Sequence, residues 1–169
     1  MGNPTDLLLL QRHVFDPCDF KYTLPQKETE SAEYEAHFFK LNDLTVRYRK
    51  AKITPTKTGQ FVTFWKREGD GPIQPYRIDD KVDILMVSVR KDNHFGVFVF
   101  SSAVLIRQGI ISTEKKEGKR AIRVYPPWDT PNSQQAIKTQ KWQQECFLEV
   151  GSVNMDKDRV NELLKVTTT

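Results

Sequence analysis

Two apolar segments separated by a short polar turn constrain the fold of this chain more than any other feature. Residues 82–90 and 95–100 have the composition of strands, and residues 91–94 connect them. Residues 84–87 (ILMV) are continuously apolar, whereas a strand with one face in water alternates apolar and polar side chains. The sequence therefore predicts a central strand that is buried on both faces and followed by a neighbouring strand.

Further strands are predicted on both sides of this pair. Leu44, Val46 and Tyr48 alternate with polar residues, which is the period of a half-buried strand, and this strand is expected to end near Ile53. Residues 54–59 (TPTKTG) indicate a turn, so residues 60–67 are expected to form a hairpin with residues 44–53. A later strand is predicted over residues 119–125, where Pro126 and Pro127 stop it.

Helices are predicted mainly towards the two ends of the chain. Residues 7–15 suit a short helix, and the acidic segment 26–36 is helix-prone, with Ser31 as an internal start. Three further helices are expected. The first covers residues 102–107, with Ser102 as its cap and Gly109 at its end. The second runs from the capping box of Asn132 and Gln135 to about Val150. The last starts at Asn154 or Asp156 and places Val160, Leu163 and Leu164 in the core.

These elements predict a single α+β domain over residues 1–169, with a mostly antiparallel central sheet of about five strands flanked by helices. Residues 1–25 would form an N-terminal helical cap, and residues 154–169 a C-terminal helix and tail. A hydrophobic content of 38% is that of a folded chain, and two cysteines in 169 residues indicate reduced thiols. Because the apolar run 7–10 is too short for a bilayer, we expect a cytoplasmic protein without a membrane partner.

The positive charge is concentrated in two windows of the sequence. Residues 47–67 contain seven cations and no acid, and residues 115–141 contain seven cations against two acids, although the whole chain carries only +4. Aromatic and amide side chains lie among these cations. Lys and Arg suit phosphates, Trp and Tyr suit base faces, and Gln suits base edges, so the mixture favours a nucleic-acid partner, either DNA or RNA.

We therefore predict a nucleic-acid-binding protein with no catalytic residue and no cofactor, provided that folding brings the two windows together. The predicted contact residues are Arg47, Arg49, Lys57, Lys66, Arg67, Lys119, Arg123, Tyr125, Trp128, Gln135, Lys138, Thr139, Trp142 and Gln143.

Three blocks of this sequence resemble the MepB family. They are residues 53–67 (ITPTKTGQFVTFWKR), 118–128 (GKRAIRVYPPW) and 135–143 (QAIKTQKWQ), and the similarity extends over a core of about residues 28–148. The resemblance implies a role in nucleic-acid binding and specifies no reaction. Residues 100–103 (FSSA) depart from the Phe-Pro-Lys sequence expected in relatives, so this chain lacks one cation of that pattern.

Two alternatives remain open at the level of sequence. A magnesium-dependent nuclease needs carboxylates around Mg²⁺ and a lysine near the attacking water, and Asp83, Glu117 and Lys119 form such a pattern. A helix carboxylate from Glu33 or Glu35 could complete it. The other alternative is a protein-interaction or small-ligand module, for which Tyr125, Trp128 and Trp142 would be aromatic anchors. Binding that is insensitive to salt would mark that module.

Overall fold

The computed structural model describes residues 2–151 and 155–164, which form two sheets and four α-helices. The strands are β1 (Gln26–Lys27), β2 (His37–Leu41), β3 (Leu44–Lys50), β4 (Lys52–Ile53), β5 (Gln60–Thr63), β6 (Ile84–Lys91), β7 (His94–Ser101), β8 (Ala121–Val124) and β9 (Phe147–Glu149). The helices are α1 (Thr5–Leu10), α2 (Ser102–Arg107), α3 (Gln134–Gln143) and α4 (Lys157–Leu164).

The larger sheet has six strands in the order β1-β2-β3-β6-β7-β9, and it confirms the predicted α+β class and mostly antiparallel sheet. β6 lies between β3, to which it is parallel, and β7, to which it is antiparallel. Every residue from Ile84 to Val89 is buried, as the continuous apolar run predicts. The remaining pairings in this sheet are antiparallel.

The second sheet has three strands in the order β4-β5-β8. The chain leaves the larger sheet at Ala51, whose backbone N–H still donates to Ser88 O at 3.0 Å. The predicted hairpin of residues 44–53 with 60–67 is therefore wrong for most of its length, because β3 pairs with β2 and β6. Of residues 44–53, only Lys52 and Ile53 of β4 pair with β5, which ends at Thr63.

The two faces of the larger sheet pack into separate apolar cores. One core contains Leu7 and Leu10 of α1 together with Val160, Leu163 and Leu164 of α4, which confirms the predicted core spacing of the last helix. The other core lies under the second sheet and is built from both layers. It includes Val87 and Phe100 of the larger sheet with Val62, Ile122 and Val124 of the smaller one.

The acidic segment 26–36 is not a helix. It forms β1 and then a single 3-10 turn, Ala32–Tyr34, between Ser31 and Glu35, which both have left-handed backbone conformations. Pairing of β1 with β2 overrides the local helix propensity. The side chain of Glu28 points to β3, where it meets Arg47 and Arg49.

Three predicted helix boundaries also differ from the structure. Ser101, not Ser102, caps α2, and its hydroxyl accepts from Val104 N. Ser133, not Asn132, caps α3, and its hydroxyl accepts from Ala136 N at 3.1 Å. α3 ends at Gln143 rather than near Val150, because residues 147–149 pair with β7 as strand β9. At the last helix, Asp156 accepts from Arg159 N, and Asn154 lies outside the described residues.

Among the helices of residues 2–151 and 155–164, none has the length and apolar character that crossing a bilayer requires.

Candidate nucleic-acid interface

Strands β5 and β8 bring the two basic windows into contact, because Phe61 lies opposite Arg123 in their antiparallel pairing. Arg123 also reaches the turn between β4 and β5. Its Nη1 donates to Thr54 Oγ1 at 3.0 Å and to Thr58 O at 3.2 Å. The guanidinium of Arg123 therefore fixes the 54–59 turn against β8 without being neutralised by a carboxylate at that contact.

Most cations of the first window are nevertheless paired with acids. Arg49 is fully buried and its Nη1 donates to Glu28 Oε2 at 2.6 Å, while Arg47 Nη1 donates to Glu28 Oε1 at 2.6 Å. Lys66 Nζ lies 2.8 Å from Asp80 Oδ1. Burial alone would lower the pKa of Lys66, but its contacts with Asp80 and Glu68 raise the pKa overall.

The prediction that Arg49 contacts nucleic acid is therefore wrong, since a side chain with no exposed surface cannot meet a ligand without unfolding of this region. Arg47 and Lys66 are partly exposed, but both are held in ion pairs. Arg47 and Arg49 bind Glu28 to β3 of the larger sheet, and Lys66 joins the chain after β5 to the turn that contains Asp80. Glu28, which lies in the segment 26–36 that the sequence predicts to be helix-prone, neutralises two of these cations.

The second window lines a cleft of about 280 Å³ between β8 and α3, which we call the β8–α3 cleft. Seven of the fourteen predicted contact residues line it, and no carboxylate does so among the described residues. Its lining consists of Gln108, Ile110, Lys119, Ala121, Ile122, Arg123, Tyr125, Ser133, Gln135, Ala136, Thr139, Trp142 and Gln143.

Two aromatic side chains form firm walls of this cleft. Trp142 is half-buried and packs against Phe100, with ring centroids 5.7 Å apart. The Tyr125 ring lies over Gly59, where a Cβ would come within 2.7 Å of Tyr125 Cδ1. Gly59 also has φ +84°, so both its space and its backbone conformation favour glycine. The 54–59 turn thereby packs against the Tyr125 ring and holds it in position.

Gln143 lies at one end of the cleft and is almost fully buried, with 1% of its surface exposed. Its Oε1 accepts from Tyr125 N at 2.8 Å, and its Nε2 donates to Arg123 O at 3.1 Å. Both groups of the amide are thus used by the backbone of β8. The expectation that Gln143 contacts a base directly is wrong, because its role in the structure is to attach α3 to β8.

Polar groups and one flexible cation surround the remaining rim. Lys119 is exposed, and its backbone N–H donates to Ile110 O at 2.9 Å, which fixes where the side chain leaves the surface. Gln135 is exposed in the first turn of α3, and Thr139 Oγ1 donates to Gln135 O at 2.9 Å. The N-terminal turn of α3 contributes partial positive charge to the same rim.

Lys57 and Trp128 lie in a neighbouring cavity of about 520 Å³ rather than in the cleft. The cavity separates the 54–59 turn from Lys91 and residues 128–130, and Lys91 Nζ is 3.5 Å from Asp129 Oδ1. Trp128 stacks on His94 with a centroid distance of 4.8 Å. Nine of the fourteen predicted contact residues therefore lie in these two depressions, seven in the cleft and two in the neighbouring cavity.

The last two predicted contact residues lie outside both depressions. Arg67 is exposed and packs over Trp65, with 5.4 Å between its Cζ and the ring centroid. Lys138 is exposed on α3 but does not line the cleft.

The residues of the nuclease pattern are engaged in separate contacts. Asp83 Oδ2 accepts from Thr45 N at 2.8 Å, and Glu117 Oε1 pairs with Arg120 Nη2 at 3.2 Å. Within the described ranges, no group of three or more His, Cys, Asp or Glu side chains is arranged to hold a metal ion. Glu33, on its 3-10 turn, is exposed. The geometry therefore lends no support to a Mg²⁺ site built on Asp83, Glu117 and Lys119.

Comparison with known proteins places this architecture beside one described family. The family model described as MepB-like matches residues 28–149. A solved structure titled "Crystal Structure of MepB" is similar to this chain with 34% sequence identity and a TM-score of 0.76. The match covers 88% of this chain and 99% of that one. None of the curated proteins compared with the chain matches it.

Proposed function

The chain belongs to the MepB-like family, and we propose that it binds nucleic acid through the β8–α3 cleft without catalysing a reaction. The observation that carries the proposal is the composition of the cleft. It combines Lys119, Arg123, Tyr125 and Trp142 in one concave surface, and among the described residues no carboxylate lines it.

Electrostatics supports an anionic ligand at this position. A concave surface that carries two cations and, within the described parts of the chain, no lining acid concentrates positive potential, and the N-terminal end of α3 adds to it. Lys119 is exposed, and its long unbranched side chain can reach a phosphate, whereas Arg123 is held in place by Thr54 and Thr58. A fixed guanidinium suits directional contact with phosphate oxygens.

The uncharged lining supports a ligand that also carries flat rings. Tyr125 and Trp142 offer aromatic surface, and Gln135 adds an amide on the rim. Stacking of a base on such a ring contributes about 1 to 3 kcal/mol per base. A simple anion would gain nothing from these groups, so the combination favours a polynucleotide over an inorganic phosphate or a small acid.

The test is a fluorescence-anisotropy titration of labelled oligonucleotides over a series of salt concentrations. Each phosphate contact contributes roughly 0.7 to 0.9 to the slope of log affinity against log salt. The double substitution Lys119→Ala plus Arg123→Ala should therefore weaken binding and reduce that slope by about 1.4 to 1.8.

The matched control is Lys21→Ala plus Lys40→Ala, which removes the same charge from exposed positions far from the cleft lining. This control should keep the slope of the unmodified protein. Urea unfolding of both variants verifies that they are folded. Equal slopes for the cleft variant and the unmodified protein, or binding that does not depend on salt, would refute the proposal.

A further inference from the structure

The free edge of strand β8 faces the cleft. Phe64 N donates to Arg120 O, and Val62 lies opposite Ile122, so the even-numbered residues of β8 direct their backbone groups to β5. In an antiparallel pair the intervening residues direct their N–H and C=O groups to the other side. The backbone groups of Ala121, Arg123 and Tyr125 therefore point towards α3.

Gln143 already occupies one part of this edge. Its carboxamide bonds the C=O of Arg123 and the N–H of Tyr125, which lies two residues later. This contact demonstrates the geometry that the edge accepts. A flat group with a donor beside an acceptor can bond both the C=O of one residue and the N–H of the residue two positions later.

The same pair of groups recurs two residues earlier along the strand. Ala121 O and Arg123 N face the cleft, and in the part of the chain that the structure describes no protein group bonds either of them. A nucleobase carries the matching arrangement on its Watson–Crick edge, where a donor and an acceptor are adjacent as they are in a carboxamide. The Watson–Crick edge of a base is free only when that base is unpaired.

We propose that the cleft binds one unstacked base of a single strand, with its Watson–Crick edge on the carbonyl of Ala121 and the N–H of Arg123. This inference rests on the proposed function and specifies its ligand. Lys119 and the Arg123 side chain would meet the flanking phosphates, and Trp142 or Tyr125 the face of the base.

A peptide strand could use the same backbone groups, but the structure favours the base. A strand that extends a sheet needs several successive hydrogen-bonded pairs, and Gln143 already occupies the carbonyl of Arg123 and the N–H of Tyr125, where such a strand would continue. The lining also combines two cations with aromatic rings, which suits phosphates and a base better than an uncharged backbone.

The experiment uses the unmodified protein and three thymidine pentanucleotides of equal charge. One is intact, one is abasic at all positions, and one carries N3-methylthymine, which keeps the ring but removes the donor of the pairing edge. Affinities are measured by competition against a labelled strand, and the backbone amide of Arg123 is followed by two-dimensional NMR.

The intact strand should bind at least about tenfold more tightly than either altered strand, a difference of about 1.4 kcal/mol, since each altered strand lacks the paired hydrogen bonds of the base edge. The Arg123 amide resonance should shift with the intact strand only. A complementary duplex should bind more weakly than the single strand.

The outcomes separate this inference from the function on which it rests. Equal, salt-dependent binding of all three strands would overturn base recognition and leave phosphate binding in place. Failure of every strand to bind would overturn both. A shift of the Arg123 amide with a blocked diglycine peptide but not with the intact strand would assign the edge to peptides and overturn the proposal.

Discussion

Gln143 provides the sharpest test of how the cleft is built. Gln143→Ala removes the hydrogen bonds of 2.8 Å and 3.1 Å that attach α3 to β8. A hydrogen bond contributes about 1 kcal/mol net, and leaving a buried partner unsatisfied costs about 1 to 3 kcal/mol. Tyr125 N and Arg123 O would both lose their partner, but the adjoining cleft admits water. We therefore expect a loss of about 2 to 4 kcal/mol in the free energy of unfolding.

Urea unfolding followed by tryptophan fluorescence measures this loss as a lower midpoint with little change in slope. The matched control is Gln135→Ala, which removes the same amide from the same helix at an exposed position and should change stability by less than about 0.5 kcal/mol. A Gln143→Ala variant as stable as Gln135→Ala would refute the assignment of Gln143 as the attachment of α3 to β8.

Gln143→Glu separates the two hydrogen bonds. A carboxylate can still accept from Tyr125 N, but it cannot donate to Arg123 O and it adds a buried charge. Protonation restores a donor, so the deficit of Gln143→Glu relative to the unmodified protein should shrink as the pH falls. A deficit that grows towards acidic pH would contradict the donor role of Nε2.

Two further predictions concern buried ionisable groups. Glu28→Ala leaves Arg49 buried without its carboxylate, so we expect the free energy of unfolding in urea to fall by about 3 to 5 kcal/mol. Glu33→Ala, at an exposed site, is the control and should have little effect. A fall below about 1 kcal/mol for Glu28→Ala would contradict the role of the pair. Burial raises the pKa of the Cys146 thiol from 9.0 to about 11, so stability should be fully present below pH 9 and fall as the pH rises towards 11. Cys146→Ala should show a smaller fall over that interval in unfolding curves, and an unchanged fall would assign the effect to other groups.

Local pattern was sufficient where packing follows from the side chains of one element. The apolar run 84–87 predicted the central strand β6, and the strand predicted over residues 119–125 corresponds to β8, in which Ile122 and Val124 are buried in the core. The spacing of Val160, Leu163 and Leu164 predicted the buried face of α4. Each of these inferences depends only on the period of the element and on burial of apolar groups.

Local pattern failed where a distant partner decides the outcome. Segment 26–36 has the composition of a helix, but β1 pairs with β2, and Glu28 joins Arg47 and Arg49, which are 19 and 21 residues away. α3 stops at Gln143 because Phe147 and Leu148 pair with β7. Helix propensities of a few tenths of a kcal/mol per residue cannot oppose such contacts, and the sequence contains no local signal for them.

The same long-range pairing limits the size of the proposed interface. Charge counting treats the fourteen cations of the two windows as equivalent, yet Glu28 and Asp80 neutralise three from the first window. The second window keeps Lys119 and Arg123 beside a cleft whose described lining contains no acid. Attraction for a polyanion should therefore arise from a few cations around one cleft rather than from a broad basic face. A small footprint of this kind implies a weak dependence on salt, with a slope near that of two or three phosphate contacts, about −1.4 to −2.7. A slope several times steeper would mean that the binding surface extends far beyond β8 and α3.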